Sequence, residues 1–364
     1  DYVCLAASSL SEPTIGPNSA EQADDYFNTV LYTGNATARS ITGVGFQPDW
    51  VWFKNRSAAQ AHNVFDVVRG TGQILYPNLT NAEATTSIHL NSFDSDGFTI
   101  GTATSLNGNG NSIVAWNWKA GGTAVSNSNG SITSSVSANT DAGFSIATWT
   151  GTGSAGATVG HGLGAVPDVM IVKKRAGGTA YGWAVWHKDA NDNSTDFLRL
   201  DTTAAQADQD MWNDTDPTST VLTLGANNYT NYPSGATYVG YFFKGIDGYS
   251  KFGSYEGNSS ASDGPFVFTG FKPAFVIGKA ADQTGRWWIY DNKRTTFNDG
   301  GVNNGRRLEA NSNSAESTSD SSNKVLFFSN GFKVNTTNSE WNGSGQTYIY
   351  LAFAEAPFKY ANAR

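Results

Sequence analysis

Two carboxylate pairs recur at matched places in the chain, Asp66 with Glu83 and Asp291 with Glu316. Glycoside cleavage needs two carboxyl groups roughly 5–10 Å apart, one to protonate the leaving oxygen and one as nucleophile or base. The middle stretch of the chain carries His187 and Gln206 at the corresponding positions. A glutamine exchanges no proton, so shared hydrolysis is lost in that copy. Hydrogen bonding is the role that all three copies can keep. Asp66-x-x-Arg69 and Asp291-x-x-Arg294 follow apolar strands. Side chains three apart on a strand face opposite ways, so each pair is expected at a turn, joined as a salt bridge. A carboxylate and a guanidinium beside Trp or Tyr also suit sugar hydroxyls. Asp291 and Arg294 are therefore candidate ligand contacts.

Aromatic side chains are the other feature suited to a ligand, with 11 Trp, 15 Tyr and 21 Phe. Sandwich cores consume most such residues, and Trp183 and Trp287 are candidates that compete with that role. Trp212 and Trp341 sit in polar surroundings, "QDMWNDTD" and "NSEWNGSG". Strand periodicity does not account for them, so they are expected as exposed contacts. Other chemistries find no support. His62, His89, His161 and His187 lack zinc spacing. Asp189-x-Asn191-x-Asn193 starts like a calcium loop, but Ser194 and Leu200 stand where Gly and Glu are required. Asp94-Ser95-Asp96-Gly97 reads as a turn. There is no Gly-x-Ser-x-Gly elbow. We therefore assign no catalytic residue, no metal ligand and no cofactor, with a loop-bound calcium as the one alternative.

These residues are positioned by a design written three times. "GFQPDWVWFK", "GAVPDVMIVK" and "GFKPAFVIGK" align on Pro48, Pro167 and Pro273. An aromatic-x-Gly precedes each at Gly34, Gly151 and Gly257. A Leu-x-x-(Asn/Asp)-x-x-x-Ala-(Glu/Gln) motif follows at Leu75, Leu198 and Leu308, and a closing strand starts after Gly110, Gly235 and Gly345. The Gly-x-x-Pro runs suit strands covered on both sides. The closing strands read as one core face (Val114, Trp116, Trp118 and their counterparts) and one partly exposed face. Thr80-x-x-Glu83, Thr203-x-x-Gln206 and Asn313-x-x-Glu316 resemble capping boxes of short helical turns.

The expected fold is all-β, with three tandem antiparallel, jelly-roll-like β-sandwich domains and short linkers. Residues 1–25 form an N-terminal extension or the end of a preceding domain. The repeats occupy 26–122, 144–248 and 249–364, and 123–143 is a linker or an added strand around Ile132.

Composition narrows the function. The single cysteine, Cys4, excludes an intrachain disulfide framework. The net charge of −8, with no basic cluster beyond Lys173-Lys174-Arg175, argues against nucleic acid. No apolar run reaches the roughly 20 residues a membrane helix needs, and the N-terminus makes a poor signal peptide.

"LYTGNATARSITGVGFQPDWVWFKNRS", "SFDSDGFTIG", "GYSKFGSYEGN", "DGPFVFTGFKPAFV" and "YIYLAFAEAPFKYANAR" resemble proteins of tailed phages, especially marine and cyanobacterial ones. Those proteins carry tandem concanavalin A-like β-sandwiches. The resemblance implies a non-enzymatic virion structural protein, in a fibre, appendage or capsid decoration, that contributes to host attachment. It implies virion localisation after assembly in the host cytoplasm, with other virion proteins as partners. A homo-oligomer and a host-surface glycan are further partner candidates; nucleic acid and membrane insertion are not expected. The alternatives are a carbohydrate-binding module, a glycan depolymerase and a bacterial surface or filament protein.

Overall fold

In the computed structural model the described residues are 14–16, 19–190, 195–294, 306–317 and 324–355. The fold is all-β, with 43 % of residues in strands and 3 % in helix. After a 3-10 turn at Ala23–Asp25, the first repeat runs β1 (Phe27–Thr33), β2 (Arg39–Thr42), β3 (Trp50–Asn55), β4 (Asn63–Asp66), β5 (Gln73–Ile74), β6 (Ala84–Thr85), β7 (Leu90–Asp94), β8 (Gly97–Ile100), α1 (Thr104–Asn107) and β9 (Ser112–Trp118). The second has β10 (Val125–Asn127), β11 (Ser134–Asn139), β12 (Phe144–Thr150), β13 (Ala157–Gly160), β14 (Val169–Ala176), β15 (Trp183–His187), β16 (Asp196–Arg199), β17 (Ala207–Asp208), β18 (Val221–Leu224) and β19 (Thr237–Phe243). The third has β20 (Ser250–Glu256), β21 (Phe266–Phe268), β22 (Pro273–Ala280), β23 (Trp288–Asp291), β24 (Leu308–Glu309), β25 (Lys324–Phe328), β26 (Gly331–Asn335), α2 (Ser339–Asn342) and β27 (Thr347–Ala354).

Each repeat builds an inner sheet in which its last strand lies between the strand that ends at the aromatic-x-Gly motif and the Gly-x-x-Pro strand. The orders are β1-β9-β3-β4, β12-β19-β14-β15-β16-β17 and β20-β27-β22-β23-β24. Outer sheets cover them: β2-β8-β7, β13-β18 and β21-β26-β25. The 123–143 segment carries two strands, β10 and β11, which pair onto β12 and extend the second inner sheet. Ile132 makes a separate parallel bridge to Val159.

The aromatic-x-Gly motif is steric. A Cβ on Gly34 would lie 2.2 Å from the Gly108 carbonyl oxygen, on Gly151 2.6 Å from that of Asn231, and on Gly257 2.2 Å from that of Gly343. The buried Asn107, Asn231 and Asn342 then hold the chain just after each glycine. Their side-chain oxygens accept from the backbone N–H of Asn35, Thr152 and Asn258.

Periodicity anticipates one core face and one partly exposed face on the closing strands, but β9, β19 and β27 are buried on both. The reason lies in the packing. Val114, Trp116, Trp118, Val239, Tyr241, Phe243, Ile349, Leu351 and Phe353 all enter one central cluster shared by the three repeats. Rings meet across repeat boundaries: Trp50 stacks on Tyr241 at 4.6 Å, and Phe27 on Phe353 at 5.2 Å. A small, wholly apolar cavity marks the meeting point, lined by Trp50, Ile171, Phe243, Phe275, Leu351 and Phe353 among others. The opposite faces of β9 and β19 enter separate clusters beneath the first and second outer sheets, through Ala115 and through Tyr238 and Phe242. In the third repeat the matching residues Tyr348 and Tyr350 merge with the central cluster. Burying one such side chain contributes about 1.5–3 kcal/mol, so the shared core dominates the stability of the whole.

Candidate functional site

The repeated polar residues converge on the junctions between repeats. The expected helical turns at Thr80, Thr203 and Asn313 do not form; these segments are irregular. Their motif has another purpose. Leu75, Leu198 and Leu308 point into the central core. Asn78, Asp201 and Asn311 accept the backbone N–H of His62, Trp183 and Trp287 at 2.9, 2.7 and 2.9 Å. The Glu/Gln backbone then reaches the neighbouring repeat. Glu83 N–H donates to the Arg175 carbonyl (2.9 Å), Gln206 N–H to that of Ala281 (2.7 Å), and Glu316 N–H to that of Arg56 (2.8 Å). First joins second, second joins third, and third returns to first in a closed ring.

A second set of bonds repeats the ring. Trp183 Nε1 donates to the Tyr76 carbonyl (2.9 Å) and Trp287 Nε1 to the Arg199 carbonyl (2.8 Å). The matching residue in the first repeat is His62. Its Nδ1 accepts from Trp52 Nε1 at 2.8 Å, so Nε2 carries the proton and donates to the Glu309 carbonyl at 3.0 Å. Burial, with Lys54 nearby, pushes the imidazole well below its usual range and keeps it neutral.

The carboxylate pairs lie at two of the three junctions. Asp66 meets Arg69 at 2.5 Å, and Asp291 meets Arg294 at 2.5 Å, all four side chains fully buried. The expected turn pairing is thus present in both copies. Arg69 continues to Glu83, which Arg175 of the second repeat grips bidentately at 2.9 and 2.8 Å. Tyr241 of the second repeat donates its hydroxyl to Asp66 at 2.8 Å. At the junction of third and first repeats, Arg294 reaches Glu316, Arg56 grips Glu316 at 3.0 and 2.7 Å, and Trp116 Nε1 donates to Asp291 at 2.9 Å. The remaining junction replaces the whole set with His187, Ala190, Gln206, Ala281 and Leu351. There His187 lies against the Tyr350 carbonyl at 3.3 Å.

Burial alone would raise Glu83, but the bonds and charges of Arg175 and Arg69 outweigh it and hold the carboxyl below its usual range. Burial, Arg56 and Arg294 balance the same way at Glu316. A general acid needs a pKa near the working pH and access to substrate. These carboxylates are instead saturated by arginines.

The expected ligand contacts are placed elsewhere than at a surface. Trp212 and Trp341 are each 1 % exposed, which corrects their reading as surface contacts. Trp212 turns inward with Met211 beneath β13 and β18, joining Leu222 and Leu224, while its polar neighbours take the solvent side. Trp341 lies on α2 in the core, capped by the Arg307 guanidinium at 4.9 Å. Trp183, Trp287, Asp291 and Arg294 are buried as junction residues. Asp96 is a turn residue whose carboxylate accepts from Gly43 and Gly45 N–H at 3.1 and 2.7 Å. Asn191 and Asn193 of the calcium-like loop lie outside the described residues, and among the described residues no acidic, His or Cys cluster suits a metal.

Three lysines at matched positions, Lys54, Lys173 and Lys279, are fully buried. Their ammonium groups donate to carbonyls: Lys54 to Asn55 (2.7 Å) and Asn313 of the third repeat (3.2 Å), Lys173 to Tyr181 and to Thr80 of the first repeat (3.1 Å), and Lys279 to Ala280 (2.5 Å) and Gln283 (3.2 Å). Burial lowers each to about 8, offset only in part by Glu316 for Lys54, Asp201 for Lys173, and Glu340 and Asp282 for Lys279. Between pH 8 and the unfolded value near 10.4 the unfolded chain binds a proton that the folded one has released, so folding stability rises with pH there. Over its complete titration each lysine contributes about 3 kcal/mol to that rise. Buried tyrosines oppose it above about pH 10, so the clean measurement is a difference. The stability of Lys54→Met relative to wild type will fall by about 2 kcal/mol from pH 7.5 to 10. A flat difference in urea titrations would refute this.

A feature missed by sequence reading is an exposed apolar face on the third outer sheet. Phe266 and Phe268 are 47 % and 57 % exposed on β21, with the buried Val267 between them. Strand register makes Ser40 and Thr42 their equivalents in the first repeat; counted from the aligned prolines, Phe266 falls opposite the apolar Ile41, and the change of character is hidden in the sequence.

No helix among the described residues is long and apolar enough to cross a membrane. No curated protein and no solved structure matches the chain. One family profile does match, over residues 22–357, and so spans all three repeats and the ring that joins them. The chain belongs to the family described as Domain of unknown function (DUF7483).

Proposed function

We propose that the chain is a non-enzymatic structural protein of a phage particle, in a fibre, appendage or capsid decoration, that contributes to contact with the host surface. The observation that carries this reading is the use made of the repeated polar residues. Asp66, Glu83, Asp291 and Glu316, the groups best suited to hydrolysis, are held by arginines in the joints between repeats. The likeness of the quoted stretches to tandem sandwiches of tailed phages supports the setting. Mass spectrometry of purified particles from the source culture tests it. The chain should be recovered in fixed proportion to the major capsid protein, and particles free of it would refute the proposal.

A further inference from the structure

The third outer sheet differs from its counterpart in the first repeat at four matched positions on one face. In the first repeat, register places Ser40, Thr99 and Ser92 in one row and Thr42, Gly97 and Asp94 in the next. Ser40, Thr99, Ser92 and Asp94 are mutually hydrogen-bonded, with Ser40 to Thr99 at 2.7 Å and both Ser92 and Thr99 donating to Asp94 at 2.7 Å. That face is finished by its own polar groups. In the third repeat the same rows read Phe266, Lys333, Leu326 and Phe268, Gly331, Phe328. Ser40, Thr42, Ser92 and Asp94 have become Phe266, Phe268, Leu326 and Phe328.

The apolar residues surround Lys333 and meet directly across Gly331. A Cβ on Gly331 would lie 2.9 Å from the Phe266 ring, so the ring leans over the glycine, and it meets Phe328 edge-to-face at 5.9 Å. The two exposed phenylalanines leave about 100 Å² each in water, and the half-buried Leu326 and Phe328 extend the patch. The total, about 300 Å², suits the apolar centre of an interface that needs roughly 800 Å² per partner. The rim carries both signs of charge. Lys251 sits over the Phe268 ring at 5.0 Å, and the exposed Asp263 draws to itself, at 2.9 Å, the ammonium group of Lys333, which starts from the middle strand between Phe266 and Leu326. A surface with an apolar centre and both charges at its edge is complementary to itself.

We infer that this face binds a second copy of the chain. In a two-fold arrangement Phe266 and Phe268 on β21 of one copy pack on Leu326 and Phe328 on β25 of the other, and Lys333 and Asp263 exchange partners between the copies. The inference stands whether or not the chain is a virion component.

Sedimentation velocity and light scattering of the full chain, under reductant so that Cys4 cannot link copies, provide the test. Wild type should be dimeric at concentrations up to about 100 μM, where a micromolar dimer is populated. Phe266→Ser with Phe268→Thr, which copies the first repeat, should weaken association by about 100-fold or more with unchanged circular dichroism. Phe328→Asp, on β25, should do the same and serves if the double variant misfolds. Ser40→Ala, on the matched face of the first repeat, should leave the dimer intact. A monomeric wild type, or variants that dimerise as wild type does, would overturn the inference. So would a monomeric chain whose glycan-array binding disappears in the double variant, since the face would then belong to a sugar.

Discussion

Arg69→Ala will cost about 3–5 kcal/mol of folding stability, because it leaves two buried carboxylates facing each other without their shared cation. Arg69 holds Asp66 and Glu83 and also donates to the Val64 and Gln73 carbonyls. The chain itself supplies the control. The junction between second and third repeats forms the same backbone bond with His187, Ala190, Gln206, Ala281 and Leu351 in place of the ionic set. Installing that neutral set together at the first junction (Asp66→His, Arg69→Ala, Glu83→Gln, Arg175→Ala, Tyr241→Leu) should therefore cost much less than Arg69→Ala alone. Replacing a buried ionic cluster by packed neutral residues is often close to neutral, whereas removing one partner is not. Urea unfolding of the two variants checks the order, and a single variant within about 1 kcal/mol of wild type would discard it.

Phe353→Ala will cost about 3–5 kcal/mol, and the loss will be felt throughout the chain. Phe353 touches Phe27 and Trp118 of the first repeat, Phe243 of the second, and Tyr249, Phe252 and Phe275 of the third. A cavity at that place removes contacts from three sheets at once. Hydrogen exchange should show protection falling together on β9, β19 and β27. Loss confined to β27 would mean that the repeats are energetically separate.

The repeat and its strands were legible because each landmark answers a local demand. Gly34, Gly151 and Gly257 leave no room for a Cβ, and Trp50–Asn55 is buried throughout, as a continuous apolar run requires. The Asp-x-x-Arg pairing was legible for the same reason, since three residues of spacing at a strand end bring the two groups together. What was not legible depended on contacts between repeats. Glu83 looked like a cap because its partner, Arg175, is 92 residues away. The second faces of the closing strands looked half-exposed because alternation reports one covering layer, and here there are two. Trp212 and Trp341 looked exposed because polar neighbours in sequence say little about which way one side chain turns within a short loop or helical turn.

The closed ring has a consequence for valency. A trimer of identical chains would repeat every surface feature three times, and three adhesive faces on one body build networks. Here the three positions lie on one polypeptide and can diverge singly, as the neutral junction and the Phe266/Phe268 face both did. An adhesive face present once permits pairing and stops there.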